Sequence, residues 1–181
     1  MAEPETFFFD VIDSPIGKLA IAADQKGAMR MLSFDGDGER WRKDFARRFP
    51  GANLVARRDP FGHASALKAY FAGDMNVLDK IPVVFAGTSF QNKVWKALRR
   101  IPVGQTLSYG ALAKKIGEPK AMRAVGLANG SNPIAVIVPC HRVIGSDGSL
   151  TGFGGGLPRK KWLLEHEAKH SVAKFQLEAA E

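Results

Sequence analysis

The sequence predicts an α/β chain of the α+β kind in two domains, an N-terminal α/β domain with its linker over 1–87 and a mainly helical domain over 88–181. Three observations carry this reading. Short apolar runs broken by turn residues fill the first part, whereas beyond Phe90 apolar residues recur at helical spacing. Charge divides at the same place: up to Phe90, 12 Lys and Arg balance 12 Asp and Glu, and the remainder holds 14 against 6, so the whole formal excess of +8 lies in the second part. Hydrophobic residues make up 45% of the 181, enough for a real core and against global disorder. A segregated basic half points to a polyanionic partner, nucleic acid first, with a merely solubilising surface as the alternative.

Taken in order, Thr6–Ile12 is an apolar, aromatic strand, and Asp13-Ser14-Pro15-Ile16-Gly17 is a turn. Lys18–Ala23 is a second strand, Asp24-Gln25-Lys26-Gly27 a second turn and Ala28–Phe34 a third strand, together a β-meander. Trp41, Phe45 and Phe49 fall at helical spacing within Glu39–Phe49, and Leu67, Tyr70 and Phe71 within Ala64–Phe71, which Gly73 ends. A loop follows, with a short strand near Ile81–Phe85. No catalytic grouping stands out here, and His63 reads as a surface or loop histidine.

Thr88 and Gln91 fit a capping box opening a helix whose inner face is Phe90, Val94, Trp95, Leu98 and Ile101. Ser108 is the N-cap of a short helix with Leu112 and Ile116 inward, ended by Gly117. Pro119 suits the first turn of the next helix, which turns Met122 and Val125 inward and Lys120 and Arg123 outward. Two short helices about Gly117-Glu118-Pro119 form a helix-turn-helix candidate; a plain helical corner is the alternative. The second helix is rich in small residues, Ala121, Ala124, Gly126, Ala128 and Gly130, so it can approach a narrow groove closely, and the minor groove is the narrow one.

Ile134–Val138 reads as a buried strand ending in Pro139-Cys140-His141-Arg142-Val143. Cys140 is the only cysteine, which excludes an internal disulfide and a Cys-rich zinc site. A lone buried cysteine is ordinarily packing. Here Pro139 ends the strand at the thiol, His141 adjoins it, and the glycines from Gly152 to Gly156 permit close backbone approach to a ligand. Neighbours in extended backbone point apart, so if His141 is a base it acts through a water. A carboxylate among Glu165 and Glu167, beside His166, completes such a relay. No segment reaches the ~18–20 apolar residues of a membrane span. The acidic start, Met-Ala-Glu-Pro-Glu-Thr, lacks the basic region of a signal peptide, and a cytoplasmic chain is expected.

The pentapeptide Pro139–Val143, with Ser108-Tyr109, Arg123-Ala124-Val125-Gly126, Asn132-Pro133, Gly155-Gly156-Leu157, Trp162-Leu163-Leu164 and His166-Glu167 in that order, resembles the O6-alkylguanine-DNA alkyltransferases. The resemblance spans Phe90–Glu167; the N-terminal part matches in pattern only. It implies an N-terminal domain of ribonuclease-H-like topology, and a C-terminal domain with a helix-turn-helix and a short sheet. The implied function is direct reversal of DNA damage: irreversible, single-turnover transfer of an alkyl group from guanine O6, less securely from thymine O4, to Cys140.

By that resemblance His141 is the water-mediated base and Glu167 the carboxylate that orients it. Tyr109 helps rotate the nucleotide and contacts the flipped base, and Arg123 fills the vacated stack from the minor groove. Asn132 is the hinge between the DNA-binding helices and the site. Ala124 and Lys120 adjoin DNA, and Pro139, Phe153, Gly154, Gly155 and Gly156 line the base pocket. The partner is double-stranded DNA bearing O6-alkylguanine, met by a monomer without cofactor or metal, in the cytoplasm or at the nucleoid of a bacterium. Gly154 stands where some relatives have Ser, and Phe153 where some have Tyr, so the base pocket lacks two hydroxyls found there in those relatives. The N-terminal structural zinc of certain relatives is not expected. Rival readings are a lesion-binding protein without transfer, a helix-turn-helix regulator and a thiol hydrolase.

Overall fold

The computed structural model describes residues 2–180, with side chains described for 2–171. It divides into two compact units, Met1–Val84 and Phe85–Glu181.

In the first unit, β1 (Thr6–Ile12), β2 (Leu19–Asp24) and β3 (Met29–Ser33) form the expected meander. The sheet order is β3-β2-β1-β4, with β4 (Asn53–Ala56) parallel to β1 and the other pairs antiparallel. Register fixes the buried face: Phe9 lies opposite Ala22, Val11 opposite Ala20, and Phe7 beside Leu54. Against that face pack Trp41, Phe45 and Phe49, from α1 (Arg40–Arg48) and the residue that caps it. Apolar residues four apart in a basic helix can do nothing else with their surface.

This unit departs from the sequence reading at three points. β4 was not anticipated, because its four residues are mostly exposed and begin with Asn, so no apolar run marks it. The strand expected near Ile81–Phe85 is a single bridge of Val83 to Met29, since Pro82 has no N–H to continue a ladder. His63, which opens α2 (His63–Phe71), is no surface residue: it is 6% exposed, and its Nε2 hydrogen-bonds the Gly27 carbonyl at 2.7 Å. That is a structural role.

In the second unit, α3 (Ser89–Leu98) begins with the expected capping box: Thr88 Oγ1 accepts from Gln91 N, and Gln91 Oε1 accepts from Thr88 N. Trp95 Nε1 donates to the Ala128 carbonyl at 2.8 Å, tying α3 to α5 (Met122–Gly130). α4 (Tyr109–Lys115) is capped by Ser108. Gly117 ends it at φ 77°, and the N–H groups of Gly117 and Glu118 return to the carbonyls of Lys114 and Ala113. Pro119 does not enter α5. It occupies a turn closed by Ala121 N–H on the Glu118 carbonyl, where its fixed φ serves equally well. The two helices pack together as a helix-turn-helix. β5 (Leu107–Ser108) pairs in parallel with β6 (Val143–Ile144), and α6 (Leu157–Ala180) closes the chain. No helix among the described residues is long and apolar enough to cross a membrane.

Candidate active site

Residues 134–138 are buried as expected but are not a strand. The chain coils on itself instead: Val138 N–H bonds the Ile134 carbonyl, Ile137 N–H bonds Ala135, and Val136 takes φ 70°. A β-branched residue in the left-handed region is strained, and such strain persists only where the surroundings impose it. Asn132 imposes it here. Its Oδ1 accepts from Ile134 N at 3.0 Å and its Nδ2 donates to the Val138 carbonyl at 2.8 Å, fastening both ends of the coil. Arg99, the residue that caps α3, adds a bond to the Ile137 carbonyl at 3.0 Å.

Pro139, at φ −82° and ψ 66°, turns the chain again, and Cys140–Arg142 form one 3-10 turn. Cys140 therefore opens a turn rather than standing at the mouth of a strand. Its N–H bonds the Val138 carbonyl at 2.8 Å, and its own carbonyl accepts from buried Asn129. The thiol is buried, which pushes its pKa up; an Asn132 hydrogen bond, the Lys160 charge and nearby backbone N–H groups oppose that by favouring the thiolate. At rest the sulfur keeps its proton.

His141 and Glu167 are brought together as expected. His141 Nε2 lies 2.7 Å from Glu167 Oε1, both side chains being fully buried. Burial works against the Glu167 charge, yet His141 and Arg142 hold its carboxyl far below the ordinary carboxylate range. Burial lowers the His141 pKa in spite of Glu167, so the imidazole is neutral. A carboxylate can only accept, so Nε2 carries the hydrogen and Nδ1 keeps its lone pair. That Nδ1 is buried and has no hydrogen-bond partner among the described residues. The site thus holds a protonated thiol and, one residue on, a neutral base of fixed tautomer. No direct hydrogen bond joins them.

Two further residues belong to the site and carried no role in the sequence reading. Arg142 grips Glu167 with Nε on Oε2 and Nη2 on Oε1, each at 2.9 Å, and donates Nη1 to the Ile101 carbonyl at 2.6 Å. Lys160 of α6 is wholly buried, its Nζ donating to the carbonyls of Val143 at 2.6 Å and Thr151 at 2.9 Å. Burial lowers its pKa, while the Cys140 thiolate would raise it. Lys160, Leu163 and Glu167 stand at i, i+3 and i+7, one face of a helix, and that spacing was the readable signal.

Tyr109, the first residue of α4, donates its hydroxyl to the Thr151 carbonyl at 3.0 Å, which joins the helix to the glycine loop. A Cβ on Gly126 would lie 3.8 Å from the Tyr109 ring, so the small face of α5 lets that ring sit close. Phe153 is half-buried, Gly154 exposed, Gly155 buried, and Gly156 takes φ 88° just before α6. Lys120, Arg123 and Ala124 are exposed on and beside α5. No group of three metal-binding side chains is found among the described residues.

Fold and site together define a class: a helix-turn-helix protein whose buried cysteine neighbours a histidine oriented by a carboxylate. The family described as 6-O-methylguanine DNA methyltransferase, DNA binding domain, matches residues 89–169, and its ribonuclease-like domain matches residues 8–85. A methylated-DNA–protein-cysteine methyltransferase of Mycobacterium bovis is 47% identical over 173 residues, 93% of this chain and 97% of that protein. The protein of the same name from Shigella flexneri is 45% identical over 158 residues, covering 86% and 92%. The crystal structure of Mycobacterium tuberculosis OGT in complex with DNA superimposes with TM-score 0.73 at 42% identity, covering 91% of this chain and 94% of that one. This chain belongs to the 6-O-methylguanine DNA methyltransferase family.

Proposed function

We propose that this chain repairs alkylated DNA by direct reversal, with Cys140 taking the alkyl group from guanine O6 in a single irreversible turnover. Membership of a family of methylated-DNA–protein-cysteine methyltransferases supports the reaction. The observation that carries the assignment of residues is the buried His141–Glu167 hydrogen bond beside the only cysteine.

The thiol proton passes to His141 Nδ1 through a water, and Glu167 stabilises the imidazolium that forms. The sulfur attacks the alkyl carbon; an S–C bond forms, the C–O6 bond breaks and its electron pair leaves on the guanine. Tyr109 supplies a proton to the ring of that leaving group and is reprotonated through solvent as the His141 imidazolium gives up the proton it took from the thiol. Lys160 favours the transient thiolate, while burial keeps the resting thiol protonated until the base arrives. O6 of a paired guanine lies inside the duplex, so the nucleotide must be turned out, at a cost of a few kcal/mol. Arg123, exposed on the thin helix α5, is suited to fill the gap from the minor groove, with Ala124 and Lys120 against the strands and Asn132 linking α5 to the acceptor coil. Phe153 and Gly154–Gly156, with Pro139, would wall the extruded base. The chain acts as a monomer, in the cytoplasm, at the nucleoid if its source is a bacterium.

The test is to incubate the protein with duplex DNA containing O6-methylguanine, digest it and weigh the Cys140 peptide. The peptide should gain one methyl group as the DNA loses it. An unmodified peptide with the lesion intact would sink the proposal. Cys140→Ala should abolish transfer and keep DNA binding.

A further inference from the structure

α5 turns Arg123, Leu127 and Gly130 to one face, at i, i+4 and i+7, and all three are exposed. Leu127 is 72% exposed, more than any other large apolar side chain described. Packing does not require it there, because Val125 and Ala128 bury the opposite face of the helix. Single exposed leucines are common on protein surfaces. This one stands between Arg123 and Gly130 on that face, and so has a defined place. One helical turn before it stands Arg123. Beyond it the same face runs to Gly130, whose carbonyl lies 4.0 Å from where a Cβ on Gly154 would be, in the glycine loop. Lys114, Lys115 and Lys120, all exposed, belong to the same helix pair and its turn.

We propose that Leu127 is a DNA contact, packing on the deoxyribose edges of the minor groove next to the turned-out nucleotide. The proposal rests on the repair reading above and adds to it a side chain that binds by burial rather than by charge. A cationic surroundings suits the phosphates, and the sugar edges between them are the apolar part of the groove. Leucine is among the apolar side chains that minor-groove proteins present to DNA, elsewhere as a wedge between base steps. Burying an alkyl side chain against sugar releases no counterions, so its share of the affinity should not depend on salt.

The experiment measures duplex affinity across a salt series for the full chain and for Leu127→Ala, Leu127→Met and Lys120→Gln. Leu127→Ala should bind about tenfold more weakly at every salt concentration, with the log–log slope unchanged. Leu127→Met should restore most of the affinity, and Lys120→Gln should flatten the slope by ~0.9. The ratio of methyl transfer from duplex to transfer from free O6-methylguanine should fall in Leu127→Ala. Unchanged affinity, or a changed slope, in Leu127→Ala would overturn the proposal. So would an effect confined to self-association in sedimentation, which would assign the leucine to a second copy of the chain. Wild-type protein that binds duplex but leaves Cys140 unmethylated would overturn the repair reading alone, because affinity is measured on undamaged duplex as well.

Discussion

Glu167 receives a hydrogen bond from His141 and two from Arg142, and that concentration governs how the site responds to change. Glu167→Gln leaves the Arg142 guanidinium buried beside a neutral amide. Breaking one side of a buried ion pair costs about 3–5 kcal/mol, which a urea titration should show. The pH response follows from the same residues. His141 is held neutral, with its folded pKa below the ordinary value, while the unfolded chain takes up a proton near pH ~6.5. The stability due to neutral His141 is therefore complete above that pH and declines as pH falls below it. Glu167, depressed by its partners, adds a second loss in the same direction below about pH 4.3. Melting temperature should drop between pH 7.5 and 5.5, and His141→Gln should shrink the drop; an equal drop in the variant would refute the assignment. Cys140 and His141 were legible because they adjoin in a motif with known chemistry, and Glu167 because the resemblance extends along the chain to His166-Glu167. Arg142 and Lys160 were not, because basic residues in a chain of +8 look like surface until a fold buries them.

At the level of elements, legibility followed local chemistry. The caps at Thr88 and Ser108 and the stop at Gly117 could be read, since each is decided within four residues. The segment Ile134–Val138 could not: an apolar run shows burial but not path, and its coil is imposed by Asn132 and Arg99 from outside. Pro119 fitted two positions, a helix start and a turn, and the sequence alone does not choose between them. Gly117→Ala forces an alanine to φ 77° in the turn between α4 and α5 and should cost about 1–2 kcal/mol in chemical denaturation. Gly154→Ser is different. Its nearest neighbour would be 4.0 Å away and its φ is ordinary, so the variant should fold with an unchanged melting temperature. Any change in its relative rates for methyl and larger alkyl groups then reports on the pocket and not on the fold.

Across the whole molecule, the charge division announces the partner. The excess of positive charge lies beyond Phe90, in the part matched by the DNA-binding domain of the family. Duplex affinity should fall with salt with a log–log slope of ~0.9 for each phosphate engaged, and an affinity indifferent to salt would contradict this. With a single cysteine, methyl transfer should plateau at one group per chain however much damaged DNA is supplied. The grip of Arg142 on Glu167 also shapes how this protein can change through descent. Neither residue can be lost first without stranding a buried charge, so the two must persist or vanish together. Cys140 makes no hydrogen bond to either, and its replacement would leave that clasp whole. The path from a protein that mends a lesion to one that only marks it is thus a single codon, whereas dismantling the clasp takes two changes made together.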